Sequence, residues 1–167
     1  MGGISFIDES FCPKKPDHEI FLTPTTVSQL NTQFLGAQQL YKMVGGVHSS
    51  GLSDGRSITV MADDIGRHNT FDKLAGKCLL DGINLTSPIL LTTGRLSSEM
   101  IQKAARMGVS VVISRTSTTT MSIEQAQLWG ITLIGYARRD SFNIYTHPDR
   151  IVDKLESLES IQNLAST

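Results

Sequence analysis

The sequence predicts an α/β protein, a three-layer α-β-α sandwich. Three observations predict it. Short apolar or β-branched runs alternate with stretches whose apolar residues recur at three- and four-residue steps. The runs are apolar at consecutive positions, as befits strands in a sheet covered by helices on each side. A length of 167 residues, with 40% hydrophobic and 19% charged, suits one ordinary domain with its own core.

Residues 1–24 carry Gly2, Gly3, Pro13, Pro16 and Pro24 around one short apolar run and read as an irregular lead-in; residues 25–167 read as the single domain. From Thr26 to Met43 the stripe Val27, Leu30, Phe34, Ala37, Leu40 and Tyr41 predicts one amphipathic helix, ended by Gly45 and Gly46. After a turn at Ser53-Asp54-Gly55, the alternating run Ser57–Ala62 predicts a strand. The stripe Phe71, Leu74, Ala75, Cys78 and Leu79 predicts a helix with Asn69 as its N-cap and Gly82 as its stop.

Pro88–Thr93 reads as a buried strand, and Ser97–Met107 as a helix with a serine cap and Gly108 at its end. Val109–Ile113, Ser122–Trp129 and Ile131–Tyr136 continue the pattern as strand, helix and strand, and Asn143–Thr146 as a further strand. The hydroxyl run Thr116–Thr120 is a strand-to-helix loop. From Pro148 the stripe Ile151, Leu155, Leu158 and Ile161 predicts a C-terminal helix.

A net charge of −1 gives no general attraction to polyphosphates, so any anion must meet a local basic cluster, and no nucleic-acid partner is expected. No apolar run reaches the roughly 20 residues of a membrane span, and the N-terminus lacks a signal-peptide pattern, so the expectation is a cytoplasmic protein with no membrane partner. The two cysteines, Cys12 and Cys78, form no C-x-x-C pair. Cys78 falls on a helix stripe as a packed thiol, and Cys12 lies in a polar segment with nothing that clearly lowers its pKa.

Four loops carry unusual polar residues, and ligands of open α/β sheets bind at such strand ends. In the first, Gly45 and Gly46 let backbone amides approach a ligand beside His48. In the second, Asp64, Gly66, Arg67, His68 and Asn69 crowd one strand-to-helix turn; free amides and Arg67 suit a phosphate, and Asp64 suits the N1 and N2 hydrogens of a guanine. The third places Gly94 and Arg95 at another helix start. The fourth, Tyr136-Ala137-Arg138-Arg139-Asp140-Ser141, pairs arginines with an aromatic ring able to stack a base. With no Walker lysine and no H-E-x-x-H motif, composition and spacing lead to an anion or nucleotide site in an α/β domain. Capping, solvated turns and internal ion pairs explain each loop as well.

Four stretches, in this order and spacing, resemble the FdhD/NarQ family of formate dehydrogenase accessory sulfurtransferases. They are Gly45-Gly46-Val47-His48-Ser49, Asp64 through Lys73, Gly94 through Ala104, and Tyr145-Thr146-His147-Pro148. The resemblance covers about residues 28–151. It implies a cytidine-deaminase-like fold, a homodimer, and transfer of persulfide sulfur from a cysteine desulfurase to molybdenum bis(molybdopterin guanine dinucleotide), the cofactor of formate dehydrogenase, for which GDP is a surrogate. It also implies that the family's cofactor-binding stretch maps onto Tyr136, Ala137, Arg138, Arg139, Asp140 and Ser141.

The family carries a C-x-x-C-like loop bearing the persulfide shortly before the first helix, and here no such pair is present. The chain is therefore expected to be the cofactor-binding part, inactive in sulfur transfer by itself, with neither a catalytic residue nor a metal ligand of its own. Two alternatives stand beside this: a non-catalytic chaperone for a guanine nucleotide or molybdopterin cofactor, and a zinc-independent relative of nucleotide deaminases. A catalytic zinc would need a P-C-x-x-C run where this chain has Gly94-Arg95-Leu96-Ser97.

Overall fold

Successive residues of a strand face opposite sides of its sheet, and here both sides are apolar. The computed structural model describes residues 20–86, 88–139 and 141–153. Its central strands are β3 (Ile89–Thr92), β4 (Val111–Ser114) and β5 (Thr132–Gly135). Leu90, Val112 and Leu133 join one buried cluster. Their neighbours Ile89, Leu91, Val111, Ile113 and Ile134 join a second. One helix, α1 (Pro24–Gly36), covers the second cluster through Val27, Leu30 and Phe34. Three helices cover the first: α3 (Arg67–Leu80), α4 (Ser98–Arg106) and α5 (Thr120–Leu128), through Phe71, Leu74, Met100, Ile101 and Ala126. The result is the three-layer α/β sandwich that the sequence predicts.

With β1 (His48–Ser53), β2 (Ile58–Asp64) and β6 (Asn143–Ile144) the sheet has six strands in the order β2-β1-β3-β4-β5-β6. β3, β4 and β5 are parallel to one another, whereas β1 is antiparallel to both β2 and β3, and β6 to β5.

Strand β1 was not foreseen, because His48-Ser49-Ser50-Gly51-Leu52-Ser53 lacks the β-branched residues that mark strands. Its small residues have a packing reason. A Cβ on Gly51 would lie 2.8 Å from Met61 Sδ and 3.3 Å from Phe34 Cδ2, so α1 and β2 press directly on this backbone.

The helix expected over Thr26–Met43 is two. α1 stops at Gly36, where Ala37 N–H still bonds Gln33 O, and a separate α2 (Gln39–Val44) follows. Glycine is a poor helix former, and the break turns Gln38 inward while α2 buries none of its side chains. The helix expected from Asn69 begins two residues earlier, at Arg67, with Gly66 in the cap position. Thr23 caps α1 through Thr26 N–H, and Pro24 opens it.

The C-terminal helix expected from Pro148 does not start there: residues Pro148–Arg150 make a single 3-10 turn and Ile151 pairs in parallel with Leu22. The buried Arg150 anchors this turn through Gly130 O. Leu155, Leu158 and Ile161 lie outside the described residues, as do residues 1–19. Among the described residues no helix is long and apolar enough to cross a membrane.

The division between α1 and α2 is directly testable. Phe34 is fully buried and Met43 is 80% exposed. Phe34→Ala is expected to cost about 3–5 kcal/mol in urea unfolding, and Met43→Ala less than about 0.5. Equal losses would mean that α2 packs on the core as a continuation of α1.

Candidate functional site

The parallel strands β3, β4 and β5 end at Thr92, Ser114 and Gly135, so the loops that follow line up along one sheet edge. Antiparallel β1 begins at that same edge, with Ser50 opposite Thr92, and β2 ends there with Asp64 opposite His48. All four polar loops therefore converge, as Gly, Arg and His residues at the strand ends of an open α/β sheet would suggest.

Small hydroxyl side chains lace this edge. Ser50 Oγ bonds Thr92 Oγ1 at 2.9 Å and Thr70 Oγ1 at 2.6 Å, and Ser114 Oγ donates to Gly94 O at 2.9 Å. Backbone bonds from Arg115 N to Thr92 O and from Ala137 N to Ser114 O tie neighbouring loops together. From α1, the buried Asn31 Nδ2 donates to Ala137 O and Arg138 O, fixing the backbone that presents the paired arginines.

An open cleft of about 600 Å³ lies over the β1, β3, β4 and β5 ends. His48, Thr93, Arg115, Thr116, Arg138 and Arg139 give it polar lining, and Leu35, Gln38, Tyr41 and Val47 complete it. His48 Nδ1 is 3.3 Å from Thr93 Oγ1, which also accepts from Ser49 N–H. Among the described residues the ion pairs are Lys73–Asp64 and Lys103–Asp72, and Glu99 lies beside His68, so Arg115, Arg138 and Arg139 have no carboxylate partner. Gln38 is 4% exposed, yet its Nε2 has no hydrogen-bond partner. A buried amide without a partner costs stability unless something else satisfies it.

Sequence reasoning passed over Arg115 and Gln38. Arg115 stands directly after β4, the one signal that could have found it; Gln38 became visible only through the break between α1 and α2.

A smaller pocket of about 200 Å³ opens on the other side of the β3–α4 loop, lined by Arg67, Arg95, Leu96, Ser97, Ser117, Thr118 and Thr119. Arg67 lies across Gly94, where a Cβ would come within 2.8 Å of Arg67 Cβ, and Arg67 Nε is buried without a partner. His68 Nε2 is 3.1 Å from Ser97 Oγ and 3.7 Å from Glu99 Oε2. Burial first, and then the Arg67 charge, push the His68 pKa below its ordinary 6.5, so the ring is neutral at neutral pH.

Other predicted site residues fall elsewhere. Asp64 is not a free reader of guanine: its Oδ1 accepts from Gly66 N–H and the Asn69 amide, and Lys73 Nζ sits 2.5 Å from Oδ2. Three of about four acceptor positions are thus in use within the loop. Gly45 and Gly46, both near φ +61, end α2 and do not line the cleft. Ala137 is buried in the core, and Tyr136, at φ 50, is outside the cleft lining; the ring that lines it is Tyr41. Ser141 O accepts from Arg138 N–H, and Asp140 lies outside the described residues.

Neither Ser53 nor Cys78 is placed as a nucleophile. Gly51-Leu52-Ser53-Asp54-Gly55 has the spacing of a serine nucleophile elbow, but that device needs an exposed serine on a strand-to-helix turn. Ser53 is fully buried at the far end of β1, in a hairpin, with its Oγ accepting from Gly55 N–H. Cys78, on α3, is partly buried against the core and lines a pocket of about 240 Å³; burial, then the Asp81 charge, push its thiol pKa up. Cys12 is outside the described residues.

Comparison with known proteins gives a consistent set of relatives. A model of the FdhD/NarQ family matches residues 2–152. A sulfur carrier protein FdhD of Staphylococcus aureus strain MRSA252 is 39% identical over 148 residues, which are 89% of this chain and 56% of the relative. That of strain JH9 is 38% identical over the same shares. The crystal structure of a formate dehydrogenase accessory protein from Desulfotalea psychrophila aligns with a TM-score of 0.75 at 34% identity, over 86% of this chain and 61% of the other. The chain thus spans a little over half the length of the curated relatives it matches.

The Asp64 contacts make a pH prediction. Lys73 above all, then Gly66 N–H and Asn69, hold the folded carboxyl at about 2 against an ordinary 3.8. Between those values the unfolded chain binds more protons, so this stabilisation is complete above 3.8 and is lost as the pH falls through about 2. Asp64→Asn is expected to show a shallower fall of its urea midpoint with acidification across that window than the parent chain. Parallel curves would show that the carboxylate contacts contribute nothing to stability.

Proposed function

The chain belongs to the FdhD/NarQ family, and from that premise we propose that its arginine-edged cleft holds a guanine-nucleotide end of molybdenum bis(molybdopterin guanine dinucleotide). The molecule is written as a substrate, brought into contact with sulfur that a cysteine desulfurase supplies for formate dehydrogenase. The observation that supports this is the cleft itself. Arg115, Arg138 and Arg139, without carboxylate partners among the described residues, line the same space as Gln38, whose Nε2 has no partner, and the Tyr41 ring. Guanidinium groups match phosphate oxygens bidentately, an aromatic ring stacks on a base, and a carboxamide meets a base edge. Gln38 is the group whose burial without a partner makes sense if a ligand completes it.

His48 sits at the same wall, where a ring nitrogen can donate to a phosphate or ribose oxygen. None of these residues is a nucleophile. Binding and orientation are their contribution, and sulfur is carried by a thiol outside this set. Cys78 is not assigned as that thiol, since a persulfide carrier must be a ready thiolate and this one is partly buried, with burial raising its pKa. Incubated with a cysteine desulfurase and cysteine, the chain should show no added sulfur on the Cys78 peptide by mass spectrometry; a gain of one sulfur there would make Cys78 the carrier.

Binding is tested with GDP as probe. Arg138 and Arg139 are exposed, so replacing both with Ala should leave the thermal midpoint unchanged. Charge-assisted hydrogen bonds contribute about 1.5–3 kcal/mol each, so GDP affinity in calorimetry should fall by at least about tenfold. Unchanged affinity would remove the cleft from the reading.

A further inference from the structure

The small pocket beyond Gly94 has features that the nucleotide reading does not use. Arg67 and Arg95 line it together with the hydroxyls of Ser97, Ser117, Thr118 and Thr119. Among the described residues neither arginine is in an ion pair, and Arg67 Nε is buried without a hydrogen-bond partner. Arg67 cannot swing away freely, because its stem lies across Gly94. A buried guanidinium nitrogen left unsatisfied is a strong acceptor-seeking group.

Two helices also begin at this pocket. Ser97 occupies the cap position of the nine-residue α4 but makes no side-chain cap bond; its hydroxyl lies beside His68 instead. Thr119 caps the nine-residue α5 by accepting from Ser122 N–H. The positive ends of both helix dipoles therefore add to the two guanidinium charges. Glu99, in the first turn of α4, is half exposed, lies beside His68 and lines a neighbouring surface pocket instead of this one. At about 200 Å³ the space is below the roughly 300 Å³ at which sites for larger organic ligands begin, and it has no aromatic wall.

We propose that this pocket is a second anion subsite, specific for a phosphate or diphosphate group, separate from the nucleotide cleft on the other side of the β3–α4 loop. It rests on the proposed function only for the identity of the donor molecule: a substrate with two guanine dinucleotide arms carries two diphosphates, and one edge then offers a place for each. A free inorganic diphosphate has the same chemistry and would enter the same way.

The test is calorimetric titration of the whole chain with inorganic diphosphate and, separately, with GDP. Diphosphate is expected to bind, with affinity reduced at least about tenfold by Arg95→Ala, an exposed site that leaves folding untouched, and clearly weakened by Arg67→Lys, which keeps the stem over Gly94 and loses the planar fork. Arg138→Ala with Arg139→Ala should weaken any diphosphate binding at the cleft and leave the component sensitive to Arg95→Ala nearly unchanged.

Two GDP per chain, falling to one in Arg95→Ala, would assign the pocket to a second nucleotide arm; one GDP with diphosphate still binding alongside would assign it to a free anion. Either supports the subsite. Diphosphate that binds Arg95→Ala and Arg67→Lys as tightly as the parent chain, or not at all to the parent, overturns it. Failure of GDP binding with diphosphate binding intact would instead count only against the nucleotide reading.

Discussion

Strand β1 makes every other feature of the functional edge possible. At Gly51 its backbone is squeezed between Met61 of β2 and Phe34 of α1, which leaves no room for a side chain there. Most of the strand's other residues are serines. Ser49 Oγ donates to Asp63, and Ser50 Oγ joins Thr70 of α3 to Thr92 of β3. An antiparallel strand is thereby locked beside a parallel group, which brings its starting end, at His48, to where the parallel strands finish. Had β1 run the other way, His48 would lie at the opposite edge from Arg115 and Arg138.

Charge is sorted along this edge. Asp63 and Asp64 are consumed by Ser49, Lys73, Gly66 and Asn69, and Asp72 by Lys103. Arg67, Arg95, Arg115, Arg138 and Arg139 are left without carboxylates among the described residues. A chain with a net charge of −1 thus presents a locally cationic rim, and the pairing of its acids within loops is what keeps that rim uncompensated. The glycines serve this arrangement too. Gly94 allows Arg67 to lie across the β3–α4 loop, and Gly135 leaves room for Tyr145 beside Thr116 O, so neighbouring loops close to van der Waals contact. The hydroxyl run after β4 is part of the same seam. Leu96 N bonds Ser117 O and Thr119 N bonds Leu96 O, which fastens the two loops on either side of the small pocket.

Much of this was legible from the chain alone. The layer order follows from consecutive apolar positions such as Ile89-Leu90-Leu91 and Val111-Val112-Ile113, which no one-sided sheet could bury. The arginine-bearing loops were visible because Gly and Arg recur where strand patterns give way to helix patterns. Helix ends were less secure. Gly82 and Gly108, both at positive φ, were foreseen as stops, whereas Gly36 was read through because the apolar stripe ran on to Leu40 and Tyr41. Periodicity reports which residues could share a face, and it does not report whether anything lies opposite that face.

The sequence by itself determined the α/β class, the helix-covered strands β3 to β5, and four of the five arginines at the strand ends, because these depend on local periodicity and on residue types at element boundaries. Tertiary structure decided the rest. It made a strand of His48–Ser53, turned Asp64 from a ligand candidate into a tie within its own loop, added Arg115 and Gln38 to the cleft, and divided the arginines between two pockets. The Asp64 tie is local to its loop and turns on which side chains find partners; the other outcomes depend on contacts between segments far apart in the chain, set by strand direction, and no local pattern encodes them.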